Sequence, residues 1–504
     1  MVFAAALIAA APALGGTQMF VGAASDDARS LTPAIAKSRM DLTARAGFGA
    51  VRMTVIWSPG QAQVGGDEIV ALRNATQDAE LDGVRLIVSL YARSWKTAPR
   101  TSLQRGQFAS YAASIAREFP TITDFVVGNE PNLNLFWMPQ FGAGGADLAA
   151  RSYELLLAKT YDALKSVSDD IDVIGGALAP RGQDKADAVR QTHSPTTFIH
   201  DLGAAYRGTG RKLPIMDAFA LHPYLIPSAL PPSFAHPRTT TIGIADYPKL
   251  VRLLTRAFQG TAQRGETLPI VYDEFGYQTQ IPQPKRWIYN HLSAPAARDV
   301  VTEARQAAYY QQAFALAACQ PTVAGVLIFH VADERDARGW QSGVYYGNFT
   351  PKSSLAVVRR AALASQAGTL GDCTNDKTTA DVDSVVFHEQ SPTDPSTLAV
   401  DFSCALPCSY RLRVIDATTS DVVAATEGKA VGDETATVAT AGLPSGTYQY
   451  VLRIFKSGKP GTTEMRFSRP FAFSTSADLV SAPAALVSEA PPLPTLQALA
   501  VPSS

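Results

Sequence analysis

The sequence predicts an α/β chain: a (β/α)8 TIM barrel followed by a small all-β sandwich domain. Three observations support this prediction. Between residues 18 and 365, eight short apolar segments alternate with helix-sized amphipathic ones. The apolar segments show little polar alternation, which is typical of parallel strands buried on both faces. Beyond residue 380, apolar residues recur at every second position, which indicates antiparallel strands.

The predicted barrel strands share β-forming composition and a length of roughly 6–9 residues. They lie at 18–24, 50–57, 84–91, 124–129, 171–178, 216–224, 268–274 and 323–330. Helical periodicity is clear between them at 32–47, 102–119 and 150–168. A doubly wound sheet is the alternative, but no glycine-rich phosphate loop follows the first strand.

The last quarter of the chain changes composition. We interpret 366–380 as a linker and 381–475 as the β-sandwich domain, because turn residues separate its short alternating segments. Residues 476–504 are rich in Ala, Pro and Ser, and we predict that they are disordered. We identify no exposed aromatic cluster in the sandwich from the sequence, which favours a structural role over carbohydrate binding.

The N-terminus and the cysteines indicate a secreted, extracellular protein. Residues 1–17 are an apolar run ending in small residues, typical of a signal peptide but without its basic start; a short buried element is the alternative. Four cysteines in an exported chain predict two disulfides, for which we favour Cys319–Cys373 and Cys404–Cys408. A zinc site at the latter pair is the alternative, but no histidine lies near it.

Charge and hydropathy narrow the choice of partners. The net charge is −1 and there is no basic block, which argues against nucleic acid or an anionic membrane as the main partner. After the N-terminal run, no segment reaches the ~18 consecutive apolar residues that span a bilayer. The sequence leaves the oligomeric state open.

Polar residues concentrate where predicted strands end. They are Arg52 on strand two, Asn129 and Glu130 ending strand four, His222 and Tyr224 ending strand six, and Asp273 and Glu274 ending strand seven. Since such barrels place their functional groups at the C-terminal ends of the strands, we expect these side chains to meet in one cleft.

Two glutamates facing each other across a barrel mouth suit the cleavage of a glycosidic bond. One must hold a proton for the leaving oxygen, and the other must stay ionised to attack the anomeric carbon. Arg52 would keep Glu274 ionised through a charge-assisted bond, although a purely stabilising ion pair is the alternative. Asn129 would bond a sugar 2-hydroxyl.

The remaining polar residues have two readings each. His222 and Tyr224 would bond a catalytic carboxylate or the sugar, while a satisfied core histidine is the alternative for His222. Asp273 would either hold another site residue or cap the following segment.

With these residues the chain resembles the clan A retaining glycoside hydrolases, loosely the family 5 and family 39 members. The resemblance rests on the Asn-Glu-Pro stretch after strand four and the Asp-Glu-Phe-Gly stretch after strand seven. It implies that Glu130 is the acid/base and Glu274 the nucleophile. It also matches Arg52, His222 and Tyr224 to the residues that surround those carboxylates, and it implies no cofactor and no metal.

The sequence departs from the family pattern at two points. Many relatives have an aromatic residue before the Asn of Asn-Glu-Pro, where this chain has Gly128. Many place a Trp at the end of strand eight, where this chain has Phe329-His330. Either Trp340 folds back to fill that place, or one of those two residues replaces it.

Aromatic residues follow several predicted strands and are candidate sugar-stacking walls, with core packing as the alternative. We favour Trp137, seven residues after Glu130, and Tyr277, three after Glu274. The others are Trp57, Tyr91, Trp95, Phe136, Trp287 and Trp340. The charged stretch at 332–339 is interpreted as a solvated loop, with calcium binding as the alternative.

The sequence therefore predicts a secreted glycoside hydrolase acting on oligo- or polysaccharides by double displacement. A transglycosylase using the same pair, and a non-catalytic carbohydrate-binding or adhesion protein, are the alternatives. A metal-dependent hydrolase is disfavoured, because only His222 and His330 end strands. The long loops at 225–247 and 275–298 give a weak preference for a walled, exo-acting pocket.

Overall fold

The computed structural model describes residues 19–225, 227, 229–293, 299–370, 373, 387–388, 397–416, 421–456, 463–467 and 471–473. The chain divides into two compact units, Met1–Asp381 and Val382–Ser504. The predicted signal peptide at 1–17 and tail at 476–504 lie outside the described residues, as does much of the predicted linker at 366–380.

The first unit is a closed barrel of eight parallel strands in sequential order. The strands are β1 Phe20–Ala24, β2 Ala50–Trp57, β3 Arg85–Ala92, β4 Asp124–Val127, β5 Asp172–Leu178, β6 Ala218–Leu221, β7 Ile270–Phe275 and β8 Val323–Phe329. The helices are α1 Pro33–Arg45, α2 Asp67–Asp82, α3 Ser102–Glu118, α4 Leu148–Lys165, α5 Pro195–Thr209, α6 Tyr247–Phe258, α7 Glu303–Ala318 and α8 Leu355–Gln366. The predicted (β/α)8 barrel is confirmed, and every predicted strand overlaps an observed one.

Each strand turns one face to the helices and the other to the barrel interior. In β2, Val51 and Met53 belong to the large core cluster that includes residues of the surrounding helices. Ala50 belongs to a separate cluster with inner residues of other strands, such as Ile87 and Val126. Because side chains alternate along a strand, Arg52 shares the inner face with Ala50, one step nearer the C-terminal end.

Local signals set the helix ends. Thr101 caps α3 by accepting a hydrogen bond from the N–H of Gln104, whose side chain accepts one from the N–H of Thr101. α2 ends at Gly83, whose φ of 63° is left-handed. Among the described helices, none combines the length and apolar character that crossing a bilayer requires.

A disulfide closes the barrel unit near its end. Cys319, directly after α7, is bonded to Cys373, beyond α8, and this predicted pair is confirmed. Cys408 is also disulfide-bonded. The side chain of Cys404, its predicted partner, lies outside the described part of the chain.

The described strands of the second unit form one antiparallel sheet. They are β9 Phe387–His388, β10 Thr397–Asp416, β11 Val422–Ala439, β12 Gly446–Lys456, β13 Thr463–Phe467 and β14 Phe471–Phe473. The order is β11-β10-β12-β13, with β9 beside β10 and β14 beside β12. The pairing of β10 is irregular between Cys404 and Cys408, and residues on either side of that point, such as Phe402 and Leu412, share one core. The predicted small all-β domain is confirmed.

Candidate active site

A cleft of about 1650 Å³ opens at the C-terminal ends of the barrel strands. Glu130 lines it from the end of β4 and Glu274 from β7, together with Arg52, Asn129 and Tyr224. The structure therefore brings together residues that the sequence placed at the ends of different strands. The volume exceeds the ~300–1,000 Å³ of an ordinary small-molecule pocket, so the cleft has room for a ligand of several rings.

Glu130 enters the cleft through a left-handed turn after β4. Gly128 and Glu130 have φ values of 88° and 41°. A positive φ is uncommon for a residue other than glycine, so the conformation of Glu130 is unusual. The N–H of Glu130 donates to the carbonyl oxygen of Ala177 at 2.8 Å, which fixes the turn against β5. A side chain at position 128 would meet the ring of Tyr153 at 2.9 Å. Tyr153 therefore fills the space that a side chain at position 128 would need, and glycine also suits the left-handed φ there.

Both carboxylate oxygens of Glu274 are held by hydrogen bonds. Arg52 Nη1 donates to Oε1 at 2.7 Å. The hydroxyl of Tyr224 donates to Oε2 at 3.2 Å. A charge-assisted bond on one oxygen and a neutral one on the other fix the orientation of this carboxylate.

Arg52 ties Glu274 to two neighbouring strands. Its Nη2 donates to Ser89 Oγ at 3.1 Å and to Asn129 Oδ1 at 3.2 Å. Burial opposes the guanidinium charge, but the carboxylates of Glu274 and Asp273 raise the pKa of Arg52 above its ordinary value. Arg52 is thus a permanent buried cation at the mouth of the barrel.

His222 lies between the two glutamates. Its Nδ1 is 3.0 Å from Glu130 Oε1 and 3.6 Å from Glu274 Oε2. Burial alone would lower the pKa of His222, but the carboxylates of Glu274 and Asp273, with a further contribution from Glu130, raise it to about 10. His222 is therefore an imidazolium at neutral pH and attracts both glutamates.

The carboxylate of Asp273 contacts both cations, Arg52 and His222. Its Oδ1 lies 3.3 Å from His222 Nε2 and its Oδ2 lies 3.6 Å from Arg52 Nε. None of these four atoms has a well-aligned hydrogen-bond partner, so the contacts are mainly charge–charge. Burial opposes ionisation of Asp273, but His222 and Arg52 hold its pKa below the ordinary value.

An aromatic wall stands beside Glu274. The ring centroids of Tyr224 and Trp340 are 5.2 Å apart, and those of Phe329 and Trp340 are 5.4 Å apart. Trp340, Phe329 and His330 all line the cleft. Trp340 thus folds back over the end of β8, as one of the two sequence alternatives anticipated, and it packs against Phe329 instead of being replaced by it.

Two of the predicted sugar-stacking residues are core residues, so those predictions are wrong. Trp137 is 4% exposed and packs edge-on against Tyr153, which places it behind the cleft wall. Tyr277 is 1% exposed, and its hydroxyl donates to the carbonyl oxygen of Leu230. Of the other aromatic candidates, Tyr91, Trp95, Phe136 and Trp340 line the cleft.

The strand-end argument missed several residues of the cleft. Asp26 and Asp27 line it directly after β1, and Arg181 and Arg190 line it after β5. The sequence did contain a signal for the two aspartates, because Ser-Asp-Asp follows the first predicted strand as directly as Glu130 follows the fourth. Nothing in the sequence singles out the two arginines, since the loop after β5 carries other charged residues.

The charged stretch at 332–339 forms hydrogen bonds within itself and with the adjacent Trp340. The N–H of Trp340 donates to Glu334 Oε2 at 2.9 Å, and Arg338 Nε donates to Asp336 Oδ1 at 3.0 Å. Across the described residues, no group of three or more His, Cys, Asp or Glu side chains is spaced to hold a metal ion.

No protein-family model matches the chain, and no curated protein matches it. Solved structures similar to it include a Bacteroides uniformis beta-glucuronidase (14% identity, 90% of this chain, 46% of that chain, TM-score 0.42). Another is an endo-beta-1,4-mannanase from Thermotoga petrophila (12% identity, 90% of this chain, 97% of that chain, TM-score 0.42). A third is a GH5_18 protein from Streptomyces cattleya in complex with GlcNAc (15% identity, 70% of this chain, 81% of that chain, TM-score 0.47). The chain spans about half the length of the beta-glucuronidase structure. Likenesses this distant assign neither an activity nor a substrate to the chain.

Proposed function

We propose that the chain is a retaining glycoside hydrolase that cleaves O-glycosidic bonds by double displacement. The observation that carries the proposal is the convergence of two carboxylates on one histidine ring at the mouth of the barrel. Glu130 and Glu274 lie 3.0 and 3.6 Å from the same atom, His222 Nδ1. Paired carboxylates within reach of one sugar ring are the apparatus that glycosidic cleavage needs.

The spacing of the two carboxylates supports retention of configuration. Their nearest oxygens cannot be farther apart than the two distances to His222 Nδ1 added together. Retaining enzymes separate their carboxyl groups by about 5–5.5 Å, and inverting enzymes by about 6.5–9.5 Å to admit a water. The upper limit set by His222 admits the retaining spacing and excludes nearly all of the inverting range.

Glu274 is the nucleophile in this proposal. Arg52 donates to its Oε1 at 2.7 Å, which fixes the position of the attacking carboxylate. One carboxylate oxygen forms a bond to the anomeric carbon while the bond from that carbon to the leaving oxygen breaks. Trp340 and Tyr224 form the adjacent wall, against which the C–H face of the sugar packs.

Glu130 is the acid/base. Three carboxyl groups, those of Asp273, Glu130 and Glu274, face the two cations Arg52 and His222. In the first step, Glu130 donates a proton to the leaving oxygen as the bond from that oxygen to the anomeric carbon breaks. In the second step, Glu130 takes a proton from water as the water displaces Glu274 from the anomeric carbon.

Asn129 is the partner for the sugar 2-hydroxyl. Its Oδ1 accepts from Arg52 Nη2 at 3.2 Å, which fixes the amide. Within the described part of the chain its Nδ2 donates to no protein group, so it remains available to the substrate. A hydrogen bond to the 2-hydroxyl strengthens in the transition state.

The substrate in this proposal is an oligo- or polysaccharide outside the cell. The cleft of about 1650 Å³ accommodates more than one sugar ring. The disulfide Cys319–Cys373 supports export, because such bonds persist in oxidising compartments.

The test is a panel of chromogenic glycosides and polysaccharides, with Glu130→Gln and Glu274→Gln as matched variants that keep the side-chain shape. We expect cleavage by the wild type, a loss of about 10²–10⁴-fold in kcat for Glu130→Gln, and a product whose first anomer, read by NMR, retains the substrate configuration. Wild-type activity in both variants, or an inverted first product, would contradict the proposal. Saccharide binding without cleavage would favour the carbohydrate-binding alternative.

A further inference from the structure

The cleft continues past Glu130 along a wall built by three loops. Trp95 comes from the loop after β3, Leu135 from the loop after β4, and Arg181 and Arg190 from the loop after β5. If Glu130 protonates the leaving oxygen, the part of the substrate that leaves lies along this wall. The inference below rests on that proposed function.

An exposed indole and an exposed leucine form the apolar part of the wall. Trp95 is 37% exposed and Leu135 is 57% exposed, although both belong to the cleft. The N–H of Trp95 donates to the carbonyl oxygen of Leu135 at 2.9 Å, so the two loops are joined. A flat aromatic surface held in this way suits the C–H face of a sugar ring.

Two arginines without partners form the polar part of the wall. Arg181 and Arg190 are exposed and make no ion pair or hydrogen bond with any described residue, whereas Arg52 deeper in the cleft is paired with Glu274 and bonded to Ser89. A guanidinium presents donors in a planar fork that fits carboxylate and sulfate oxygens. These two side chains are thus available to an anionic ligand.

The opposite wall carries acidic residues that are already engaged. Asp26 accepts from the N–H of Thr54 at 2.7 Å, Asp27 from Ser25 Oγ at 2.8 Å, and Glu334 from the N–H of Trp340. All three acids line the cleft. The cleft is therefore negative on the side away from Glu130 and positive on the leaving-group side, which orients a ligand charged at one end.

We propose that the cleft contains a leaving-group subsite for an anionic saccharide, with Trp95 as the stacking surface and Arg181 and Arg190 as the anion-binding groups. The ligand class is a sugar bearing a carboxylate or a sulfate. The neutral or hydroxyl-rich end of the substrate lies on the Asp26 side.

The test measures binding to the full-length Glu274→Gln chain, which leaves ligands intact. The probes are a uronate trisaccharide, a sulfated trisaccharide and a neutral trisaccharide, titrated by calorimetry. We expect the anionic probes to bind about tenfold more tightly than the neutral one, with the preference falling as salt rises from about 0.05 M to about 1 M. Whichever of the two anions binds more tightly identifies the anionic group.

The variants Arg181→Gln and Arg190→Gln are expected to reduce this preference about threefold each, without changing the affinity for the neutral probe. Arg360→Gln is the matched control, since Arg360 is an exposed arginine of α8 outside the cleft. Equal affinity for all three probes, equal losses in the Arg360 control, or no saccharide binding up to about 10 mM would overturn the subsite. Anion preference in a chain that cleaves no glycoside would uphold the subsite and overturn only the hydrolase proposal.

Discussion

Arg52 and His222 are the residues on which the arrangement of the two glutamates depends. Each is a buried cation that contacts Glu274 and Asp273, and His222 also contacts Glu130. Buried charges are tolerated only when they are compensated, so these five side chains hold one another in place.

The raised pKa of His222 predicts a specific pH dependence of the unfolding free energy. Its pKa is raised from 6.5 to about 10 in the folded chain, because neighbouring carboxylates outweigh the effect of burial. The stabilisation is fully present below the unfolded pKa of 6.5 and is lost as the pH rises through the folded value of about 10. The unfolding free energy of the wild type should therefore fall across that window.

His222→Gln is the matched variant for this prediction, since it keeps a polar side chain but cannot carry the charge. Denaturant unfolding at several pH values should show a steeper alkaline decline for the wild type than for the variant. Parallel declines would show that His222 is not the group responsible.

At the scale of the elements, strand prediction succeeded because parallel strands buried on both faces produce apolar runs that the sequence displays directly. The polar residues at the ends of β2, β4, β6 and β7 could also be predicted, because a polar residue that ends an apolar run stands out in the sequence. The course of the loops could not be predicted from the sequence. Trp137 follows Glu130 closely in sequence but packs behind the wall, whereas Trp340 reaches Tyr224 only because its loop folds back.

The turn after β4 gives a prediction with an internal control. Gly128→Ala should destabilise the chain and lower kcat, because the new Cβ would lie 2.9 Å from the ring of Tyr153 next to Asn129 and Glu130. Gly83→Ala is the control, since Gly83 is also left-handed but nothing lies within 4 Å of the added Cβ. The control should cost about 1 kcal/mol of unfolding free energy and leave kcat unchanged. Equal effects in the two variants would contradict this account of the turn.

The loop between β8 and α8, which carries Trp340, is anchored by a buried ion pair. Lys352 Nζ lies 2.7 Å from Asp333 Oδ1 and donates to Thr279 Oγ1 at 2.8 Å. Asp333 is followed by Glu334, whose N–H donates to the carbonyl oxygen of Trp340 at 3.0 Å. The pair therefore fixes the base of the segment that ends at Trp340.

Lys352→Met should lower the unfolding free energy by about 3–5 kcal/mol and raise KM more than it lowers kcat, because it leaves Asp333 buried without its cation. The double variant Asp333→Asn/Lys352→Met should recover part of that loss. Arg338→Ala, which breaks an exposed pair with Asp336 in the same loop, should change little. Denaturant titration and steady-state kinetics check all three, and a tolerated Lys352→Met would show that the loop is held by other contacts.

At the scale of the whole molecule, the sequence predicted both the barrel and the small all-β unit, because the period of the apolar residues changes between them. The function of the second unit did not follow from its pattern. The disulfide Cys319–Cys373 belongs to the barrel unit and joins residues 54 positions apart.

Removal of this disulfide should lower the unfolding free energy of the chain without changing kcat. The double variant Cys319→Ser/Cys373→Ser should unfold with a free energy lower by about 2–4 kcal/mol, because the unfolded chain is no longer constrained. At a temperature where the variant is folded, kcat should equal that of the wild type. Denaturant titration with and without reductant measures the first effect, and unchanged stability would show that the bond does not constrain the unfolded chain.

The most direct test of the account is to trap the covalent glycosyl-enzyme intermediate on Glu274. The chain would be treated with an activated 2-deoxy-2-fluoro glycoside of the sugar that the substrate panel identifies, and the modified peptide would be located by mass spectrometry. We expect one sugar per chain on the peptide containing Glu274, and none in Glu274→Gln. A label on another residue, or none in an enzyme that turns the substrate over, would contradict the assignment of Glu274 as the nucleophile facing Glu130.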